Sequence, residues 1–343
     1  MKILVTGGAG FIGQHVVREA LARGHDVRVM DSLRPDVHAQ QVRPRRNDVE
    51  FQLGDVRDAD AVDRALHGMD AVIHMAAKVG LGVAVSDLPD YASSNDLGTA
   101  EILAGMARAE IGRLTLASSM VVYGEGKGAC PDHGSVTPGP RAEAEMAAGN
   151  FEPPCPVCGE TLQPALVDEN ARLDPRNAYA SSKVAQEFYA SNWARAVGGA
   201  VAAMRYHNVY GPGMPRNTPY AGVAAIFTSA LKRGEAPKVF EDGAQRRDFV
   251  HVHDIAAATV LACEKITEGV KAFNVGSGTP RTVGQMAGAL AAALRGPDPI
   301  VTGQFRLGDV RHITADSSKL RSELGWMPKV EFNDGMSEFA AAH

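Results

Sequence analysis

The amino-acid sequence predicts an α/β protein built on a doubly wound parallel sheet. Short apolar runs alternate with helical patterns through the first half of the 343-residue chain, which is the order that repeated strand–helix–strand units produce. These runs contain few alternating polar residues, as expected of strands covered on both faces. The length exceeds the roughly 250–300 residues at which a single core stops growing, so we also expect a second, smaller lobe.

The strands and helices of the first half are expected in regular order. Strands are predicted at residues 3–5, 26–30, 51–53, 71–74 and 114–117, with helices at 11–23, 59–66 and 91–110. Residues 125–170 then interrupt the pattern with many Gly and Pro residues and little periodicity, so we interpret them as a loop-rich insert. A helix at 178–197 and a strand at 200–205 follow the insert.

Composition excludes several classes of protein. The chain is 45% hydrophobic and 22% charged, which is ordinary for a globular protein and unlike a disordered or fibrous one. A net charge of −5 argues against broad electrostatic binding to nucleic acid. The sequence shows neither a signal-peptide pattern nor a window of 18 apolar residues, so we expect no membrane span and a cytoplasmic location.

The first predicted strand leads into a G-x-x-G-x-x-G run that ends inside the first helix. Gly7 would permit the tight turn, Gly10 the close approach of a pyrophosphate and Gly13 the packing of helix on strand, and the helix N-terminus favours phosphate charge. Asp31 follows the second strand, where an acid accepts hydrogen bonds from both ribose hydroxyls and repels a 2′-phosphate. Asp55 follows the third strand, near the expected adenine edge. The glycine run and the two aspartates together predict a Rossmann-type site for NAD rather than NADP. The alternatives are that the glycine run forms a plain turn and that either aspartate serves as a cap or turn residue.

This site divides the chain. We assign residues 1–178, with the insert at 125–170, to a Rossmann-type NAD-binding domain. Residues 179–343 are expected to mix the remaining Rossmann elements with a smaller C-terminal substrate-binding lobe. To that lobe we assign the helices at 221–233, 255–266 and 283–294 and the strands around Val239, Phe249 and Phe273.

A candidate reaction centre follows the fifth strand and opens the helix at 178–197. Tyr179 and Lys183 form a Y-x-x-x-K motif, whose i and i+4 spacing places both side chains on one helix face. An ammonium beside a phenol stabilises the phenolate, so we expect Lys183 to lower the pKa of Tyr179 toward neutrality. Ser119 would lie nearby. Taken alone, the motif also occurs by chance, and its alternative interpretation is a pair of residues on a surface helix.

With these motifs the sequence resembles the extended short-chain dehydrogenase/reductase family, and within it the NAD-dependent sugar-nucleotide epimerases and dehydratases. The resemblance also rests on the segments at 74–77, 95–99, 205–212, 247–254, 274–278, 308–311 and 324–328. It covers nearly the whole chain and is specific for the family but not for the sugar. It implies a homodimer formed through the helices near 91–110 and 178–197.

The resemblance implies roles for individual residues. Tyr179 would remove a proton from a sugar hydroxyl, Lys183 would hold the nicotinamide ribose, and Ser119 would bind the reacting hydroxyl. The implied NAD-binding residues are Gly7, Gly10, Phe11, Ile12, Gly13, Asp31, Asp55, Val56, Ala76, Ala77, Lys78, Asn95, Ser118, Tyr179, Lys183 and Tyr206. The implied substrate-binding residues are Lys78, Ser119, Met120, Tyr179, Asn208, Arg247, Arg306 and Asp309, although the two arginines could instead form surface ion pairs.

The residues after Ser119 discriminate between reactions. Family members that eliminate water, and related decarboxylases, place acidic residues where this chain has Met120 and Val121. Neither side chain can move a proton, which favours epimerisation at C4 of a dTDP-6-deoxyhexose or UDP-sugar through a 4-keto intermediate. An NAD(P)-dependent sugar-nucleotide reductase or dehydrogenase would need the same residues, and a non-catalytic NAD-sensing regulator is a third alternative.

Three of the four cysteines lie in the insert. Cys130 and His133 form C-x-x-H, and Cys155 and Cys158 form C-x-x-C after a stretch of 21 residues, 134–154. Three thiolates and one imidazole make a closed four-ligand set, which is typical of structural zinc, although a redox pair or ordinary loop cysteines are alternatives. The insert resembles one found in dTDP-L-rhamnose 4-epimerase-like members of the family. Cys263 falls in an apolar helix pattern and is expected in the core.

Overall fold

The computed structural model describes residues 1–35, 49–80, 85–215 and 222–342. Its strands are β1 (Lys2–Thr6), β2 (Asp26–Asp31), β3 (Glu50–Leu53), β4 (Ala71–His74), β5 (Arg113–Ser119), β6 (Lys127–Cys130), β7 (Gly134–Val136), β8 (Gln163–Ala165), β9 (Ala200–Tyr206), β10 (Asn208–Tyr210), β11 (Lys238–Val239), β12 (Arg246–Arg247), β13 (Phe249–His251), β14 (Gly269–Val275), β15 (Arg281–Thr282), β16 (Ile300–Val301) and β17 (His312–Ile313).

Its helices agree closely with the apolar periodicity of the sequence. They are α1 (Phe11–Ala22), α2 (Ala59–Leu66), α3 (Leu88–Tyr91), α4 (Gly98–Arg108), α5 (Glu143–Ala147), α6 (Ala178–Val197), α7 (Val223–Lys232), α8 (Val252–Lys265), α9 (Val283–Leu294), α10 (Ser318–Leu324) and α11 (Phe332–Ala342). The helix predicted at 221–233 is α7, and its first predicted residue, Ala221, lies outside the described residues. None of the helices in the described part of the chain combines the length and apolar character needed to span a bilayer.

Among the described residues, seven parallel strands form the central sheet, in the order β14-β9-β5-β4-β1-β2-β3. The strand order reverses between β1 and β4, and in such sheets ligands bind beyond the carboxyl ends of the strands at that point. Thr6 at the end of β1 lies opposite Met30 of β2 and His74 of β4, so these three ends are level. The predicted doubly wound parallel sheet is confirmed.

Helices cover both faces of the sheet. On one face α2, α4 and α6 enclose a core that includes Leu4, Leu114 and Trp193. On the other face α1 packs against α8, and Cys263 of α8 is completely buried there beside Ile3. The helix predicted at 255–266 and the strand around Phe273 are therefore part of the central sheet layers, so their assignment to the second lobe was wrong. Their apolar patterns do not reveal which of two cores they join.

The predicted helix at 91–110 is interrupted. It runs from α3 through a π-helical turn, Ala92–Leu97, into α4. π-Helical turns often mark functional sites because the extra residue redirects side chains. Here the turn carries Asn95, which it aims at the start of α6.

Residues from the second half form a separate layer beside the carboxyl edge of the sheet. Helices α7, α9 and α11 pack on one another around Phe227, Leu290 and Phe339, with short two- and three-stranded sheets beside them. The insert is more regular than expected, since β6, β7 and β8 form a small antiparallel sheet in the order β7-β6-β8. The insert contacts residues of the second half through the ion pairs Arg141–Glu241 and Glu152–Arg311.

Candidate active site

The glycine-rich turn between β1 and α1 has the tight geometry that the sequence predicts. Gly7 adopts a φ of +67°, and a Cβ added to it would lie 2.7 Å from the backbone nitrogen of Ala76. A Cβ on Gly13 would collide with the carbonyl oxygen of Gly7. Gly10 caps α1 without a side chain, so no side chain of the cap covers the N–H groups of the first turn. This helix terminus can therefore receive an anion.

A cavity of about 370 Å³ opens at this turn, at the carboxyl ends of the central strands. Its size lies within the usual range for cofactor and small-molecule sites. The structure brings fifteen of the sixteen predicted NAD-binding residues to its wall: Gly7, Gly10, Phe11, Ile12, Gly13, Asp31, Asp55, Val56, Ala76, Ala77, Lys78, Ser118, Tyr179, Lys183 and Tyr206. Wall residues that the sequence did not indicate include Arg34, Arg57, Met214 and Gly222.

The two aspartates at the far end of the cavity already have partners within the chain. Asp31 accepts hydrogen bonds from the backbone N–H groups of Ala9 (3.0 Å) and Leu33 (2.9 Å), so it also holds the glycine turn against β2. Asp55 pairs with Arg57 at 2.6 Å, and this pairing lowers the pKa of Asp55. Asp55 is thus one half of an ion pair at the cavity edge, which sequence spacing alone did not suggest.

Asn95 is the predicted NAD-binding residue that is not on the cavity wall. It is completely buried, and its side-chain amide bonds the backbone N–H and C=O of Lys78 at 2.7 and 2.9 Å. The same amide donates to the Ser182 hydroxyl at 2.8 Å. Asn95 therefore ties the segment that carries Lys78 to α6, and its position is that of a support behind the cavity wall. Lys78 in turn bonds the Asp90 carboxylate.

Helix α6 presents Tyr179 and Lys183 to the cavity from its first turns. Asn177 caps the helix by accepting the Ala180 N–H at 2.8 Å, which sets where the first turn begins. The Lys183 ammonium donates to the carbonyl oxygen of Ala117 at 2.8 Å and lies 5.8 Å from the Tyr179 ring centroid. Lys183 is only 3% exposed, and this burial lowers its pKa to about 7, against the nearby charge of Glu187.

The pKa of Tyr179 is not lowered as the sequence predicts. Burial raises the pKa of Tyr179 to about 12, and a hydrogen bond with Ser119 opposes the rise. The reason is geometric, since Lys183 donates to a backbone carbonyl rather than to the phenol. The Tyr179 side chain is half-buried and faces the cavity, so solvent or a bound cation there can still stabilise the phenolate.

A buried charge network lies directly behind this pair. Ser118 donates to Glu187 at 2.5 Å, Glu187 pairs with Arg205 at 2.7 Å, and Arg205 donates to the Tyr123 hydroxyl at 2.8 Å. The sequence reasoning missed Glu187. Its position four residues after Lys183 places it on the same helix face, and that spacing is the signal that could have found it.

The predicted substrate-binding residues form a second group, in the lobe. Arg247 donates to the carbonyl oxygens of Val310 (2.6 Å) and Arg311 (3.0 Å), and burial lowers its pKa to about 10. Burial raises the pKa of the Asp309 carboxyl, while Arg306 and Arg247 oppose that rise. The structure therefore brings these three charged residues together.

The other predicted substrate residues lie at the ends of β5 and β9. Ser119 and Met120 are half-buried at the start of the 3-10 turn Met120–Tyr123. Asn208 begins β10, and its side-chain oxygen is buried with no hydrogen-bond partner among the described residues. A buried amide oxygen without a partner is costly, so this atom is suited to receive a ligand donor.

The four predicted metal ligands converge. The ligand atoms of Cys130, His133, Cys155 and Cys158 all lie within 4.8 Å of one another. The Cys130 sulfur lies 3.4 Å from His133 Nδ1 and 3.6 Å from the Cys158 sulfur. Tetrahedral zinc with Zn–S bonds of about 2.3 Å has S···S edges of about 3.8 Å, which these separations match.

Local backbone structure favours the thiolate form of Cys155 in this cluster. The β6–β7 hairpin places Cys130 opposite Gly134 and so brings His133 close to it. The N–H groups of Cys158 and Val157 lie against the Cys155 sulfur and lower the pKa of that thiol. Thiolates are the form that binds metal, so the donor set fits a closed structural site.

Comparison with known proteins gives consistent matches across the chain. The sequence model of the NAD dependent epimerase/dehydratase family matches residues 3–145 and 155–276. A dTDP-L-rhamnose 4-epimerase of Burkholderia thailandensis is 36% identical, with 98% of this chain and 93% of that protein covered. A UDP-glucose 4-epimerase of Mycolicibacterium smegmatis is 32% identical over 98% of this chain and 97% of its own.

Solved structures agree with these sequence matches. The UDP-glucose 4-epimerase of Thermotoga maritima with UDP-glucose has a TM-score of 0.80 and 29% identity, covering 100% of this chain and 98% of its own. The Thermus thermophilus UDP-glucose 4-epimerase in complex with NAD has a TM-score of 0.79 and 30% identity over the same shares.

Proposed function

The chain belongs to the NAD-dependent epimerase/dehydratase family, and from this premise we propose that it epimerises a nucleotide sugar at C4, using NAD. The observation that carries the proposal is the placement of Tyr179 and Lys183 on the wall of the cavity at the glycine-rich turn, with Ser119 beside Tyr179. Relatives that are 36% and 32% identical over almost their whole length are 4-epimerases, which supports the same reaction here.

The residues of the chain supply binding and proton transfer. NAD, held along the glycine turn with its ribose at Asp31, would accept a hydride and return it. Tyr179 takes the proton of the C4 hydroxyl, with Ser119 hydrogen-bonded to the reacting oxygen. Lys183, fixed by the Ala117 carbonyl, holds the nicotinamide ribose. The sugar turns at the 4-keto stage, so that the returned hydride would reach C4 from the opposite face, and Tyr179 gives the proton back to the C4 oxygen.

Elimination of water is disfavoured by the same geometry. A 4,6-dehydratase needs a second acid–base group beside the sugar, and the 3-10 turn that follows Ser119 presents Met120 and Val121 instead. The structural relatives include a dTDP-glucose 4,6-dehydratase with NAD, so the fold itself allows that reaction. The side chains at 120 and 121 favour epimerisation over it.

The nucleotide diphosphate would bind in the lobe. Arg247 and Arg306 supply positive charge, Asp309 accepts from ribose, and the Asn208 amide oxygen accepts a further donor. We infer a domain division that follows this arrangement. Residues 1–178 with the insert form the NAD-binding part, and 179–343 combine the remaining sheet elements with the substrate lobe.

We further propose that the cysteine cluster holds one structural zinc ion. Four ligands at tetrahedral separations leave no open position, so the ion would stabilise the insert and take no part in the reaction. Metal analysis of the purified chain should give one zinc per chain, and Cys155→Ser should abolish that zinc. A value near zero in the unmodified protein rejects this proposal.

We also infer a homodimer through α4 and α6. Apolar side chains stand exposed on the adjoining surface, with Phe188 60%, Tyr189 44% and Leu97 46% exposed. Exposed aromatic residues on one face are typical of an interface. Sedimentation analysis should show twice the mass of 36.2 kDa, and Phe188→Glu should yield the monomer.

A substrate panel tests the proposed activity. Purified protein is incubated with dTDP-, UDP- and GDP-sugars, and the products are identified by NMR. An epimerase gives a mixture of two C4 epimers, with no net absorbance change at 340 nm. Consumption of one reduced cofactor per product, with no epimer formed, would instead show the reductase.

A further inference from the structure

The zinc-ligating insert reaches the substrate lobe, and this contact suggests a role in substrate binding. Building on the proposed function, we propose that Arg141 and Glu152 of the insert are positioning residues for the nucleotide diphosphate site. They would act by holding the backbone of the segment 306–312, which carries Arg306 and Asp309.

The segment 306–312 has little regular structure of its own. Residues 302–311 lie between strands β16 and β17 and belong to neither. Three successive carbonyl oxygens in it, those of Asp309, Val310 and Arg311, accept hydrogen bonds from arginine side chains. The conformation of this backbone therefore depends on side chains supplied from elsewhere.

Arg141 supplies the first of these contacts from the insert. Its guanidinium donates to the Asp309 carbonyl at 2.7 Å and pairs with the Glu241 carboxylate at 2.8 Å. The side chain is only 4% exposed. Arg247 of the lobe supplies the other two contacts, so the segment is held from the insert on one side and from the lobe on the other.

Glu152 supplies a second contact between the insert and the segment. One carboxylate oxygen accepts from Arg311 at 2.5 and 2.9 Å, and the other lies 2.7 Å from His312 Nε2. Arg311 is 1% exposed and also pairs with Glu241 and Asp242, both at 2.7 Å. Charge-assisted hydrogen bonds of this kind are about twice as strong as neutral ones, and they fix geometry as well.

The metal cluster closes the loop that carries both residues. Arg141 and Glu152 lie in residues 134–154, between His133 and Cys155. An ion bound by all four ligands would join the two ends of this loop, and such closure restricts the conformations of a chain that has little core of its own. The metal would then stabilise the substrate site at a distance, through the insert.

This arrangement separates substrate binding from the reaction centre. Asn177 fixes the start of the helix that carries Tyr179, and the Ala117 carbonyl holds Lys183. Neither interaction involves Arg141 or Glu152. Loosening the segment 306–312 should therefore weaken binding of the diphosphate while leaving the binding of NAD intact.

Glu152→Gln and Arg141→Met test the proposal in the full-length, zinc-loaded chain. In Glu152→Gln, Arg311 still pairs with Glu241 and Asp242. In Arg141→Met, Glu241 still pairs with Arg311 and accepts a hydrogen bond from Gln245. Both variants are therefore expected to fold. Lys127→Ala is the matched control, because the Lys127 ammonium pairs with Asp168 within the insert region and, among the described residues, forms no hydrogen bond or ion pair with the segment. Arg141→Lys keeps the charge and should restore part of the lost binding.

Three measurements distinguish the outcomes. We expect the Kd for dTDP and UDP, and the KM for the sugar substrate, to rise at least tenfold, with kcat and the Kd for NAD within about twofold. Backbone hydrogen exchange should accelerate at 309–312 in both variants and after zinc chelation, and stay unchanged in Lys127→Ala. Unchanged exchange, or faster exchange with unchanged diphosphate binding, would overturn the proposal. Hydrogen exchange and diphosphate binding can be measured without turnover. If the unmodified protein epimerises no sugar, that result refutes the proposed function but not the positioning role of Arg141 and Glu152.

Discussion

Replacement of Tyr179 by phenylalanine removes one oxygen atom from the cavity and keeps the aromatic ring. The ring packs beside Tyr91, with centroids 6.3 Å apart, and this contact survives the change. The lost hydroxyl forms a hydrogen bond with Ser119, and a single hydrogen bond of this kind contributes about 0.5–1.5 kcal/mol to stability. The variant should therefore fold with a free energy of unfolding close to that of the unmodified protein.

The effect on catalysis should be much larger than the effect on folding. A positioned general base contributes about 10²–10⁴ in rate, which corresponds to about 3–5 kcal/mol of transition-state free energy. Tyr179 is half-buried on the cavity wall, and phenylalanine has no hydroxyl to accept the proton, so only solvent in the cavity could replace the missing base. We expect kcat to fall by at least about 10². The Kd for NAD should not change, because Lys183 is held by a backbone carbonyl.

Product NMR measures the epimerisation rate, and calorimetry measures NAD binding. Tyr189→Phe is the matched control, since Tyr189 lies on the same helix, 44% exposed, away from the cavity. Retention of more than a tenth of the activity by Tyr179→Phe, with the control fully active, would show that another group moves the proton. The assignment of the base would then be wrong.

Three further changes test the site and the core around it. A Cβ at Gly13 collides with a carbonyl of the glycine turn, so Gly13→Ala should abolish the NAD binding that calorimetry measures. Gly112 has open space around it, so Gly112→Ala should bind NAD normally. Equal NAD affinities of the two variants would contradict this explanation. Glu187→Gln leaves the buried Arg205 without its partner charge and should cost about 3–5 kcal/mol in urea unfolding, and a loss below about 1 kcal/mol would refute a structural role. Burial lowers the pKa of His74 to about 3, below its value of about 6.5 in the unfolded chain. Its contribution to stability is therefore complete above pH 6.5 and is lost as pH falls toward 3. Between pH 7.5 and 5.5 the free energy of unfolding of the unmodified protein should fall by about 1.4 kcal/mol more than that of His74→Asn. Equal losses in the two proteins would show that His74 does not contribute to the pH dependence.

The sequence predicted those parts of the fold whose signals are local. Helix α6 matches its predicted bounds because both its ends are encoded nearby, by the Asn177 cap and by Gly198, which is left-handed at the C-terminus. Helix α2 matches for the same reason, since Asp58 caps it by accepting the Ala61 N–H. The glycine turn is equally local, because steric limits at Gly7 and Gly13 act within one loop.

Other features depended on contacts that no local pattern shows. The π-helical turn at Asn95 replaces a regular helix because its amide reaches Lys78 and Ser182, both distant in sequence. The pKa of Tyr179 moved against expectation, because the donor geometry of Lys183 and the depth of burial are set by the fold. Helix α8 and strand β14 belong to the layers of the central sheet for a similar reason, because contacts with distant residues, and not a local pattern, place them there.

The sequence by itself determined the family, the parallel sheet and the identities of the candidate chemical groups, because residue type and short-range spacing carry that information. Only the tertiary structure decided which groups meet. It brought Cys130 and Cys158 to 3.6 Å across 28 positions, and Arg141 to the Asp309 carbonyl across 168. Such contacts form when packing offsets the entropy of closing long loops, and that balance depends on the whole core rather than on any one segment.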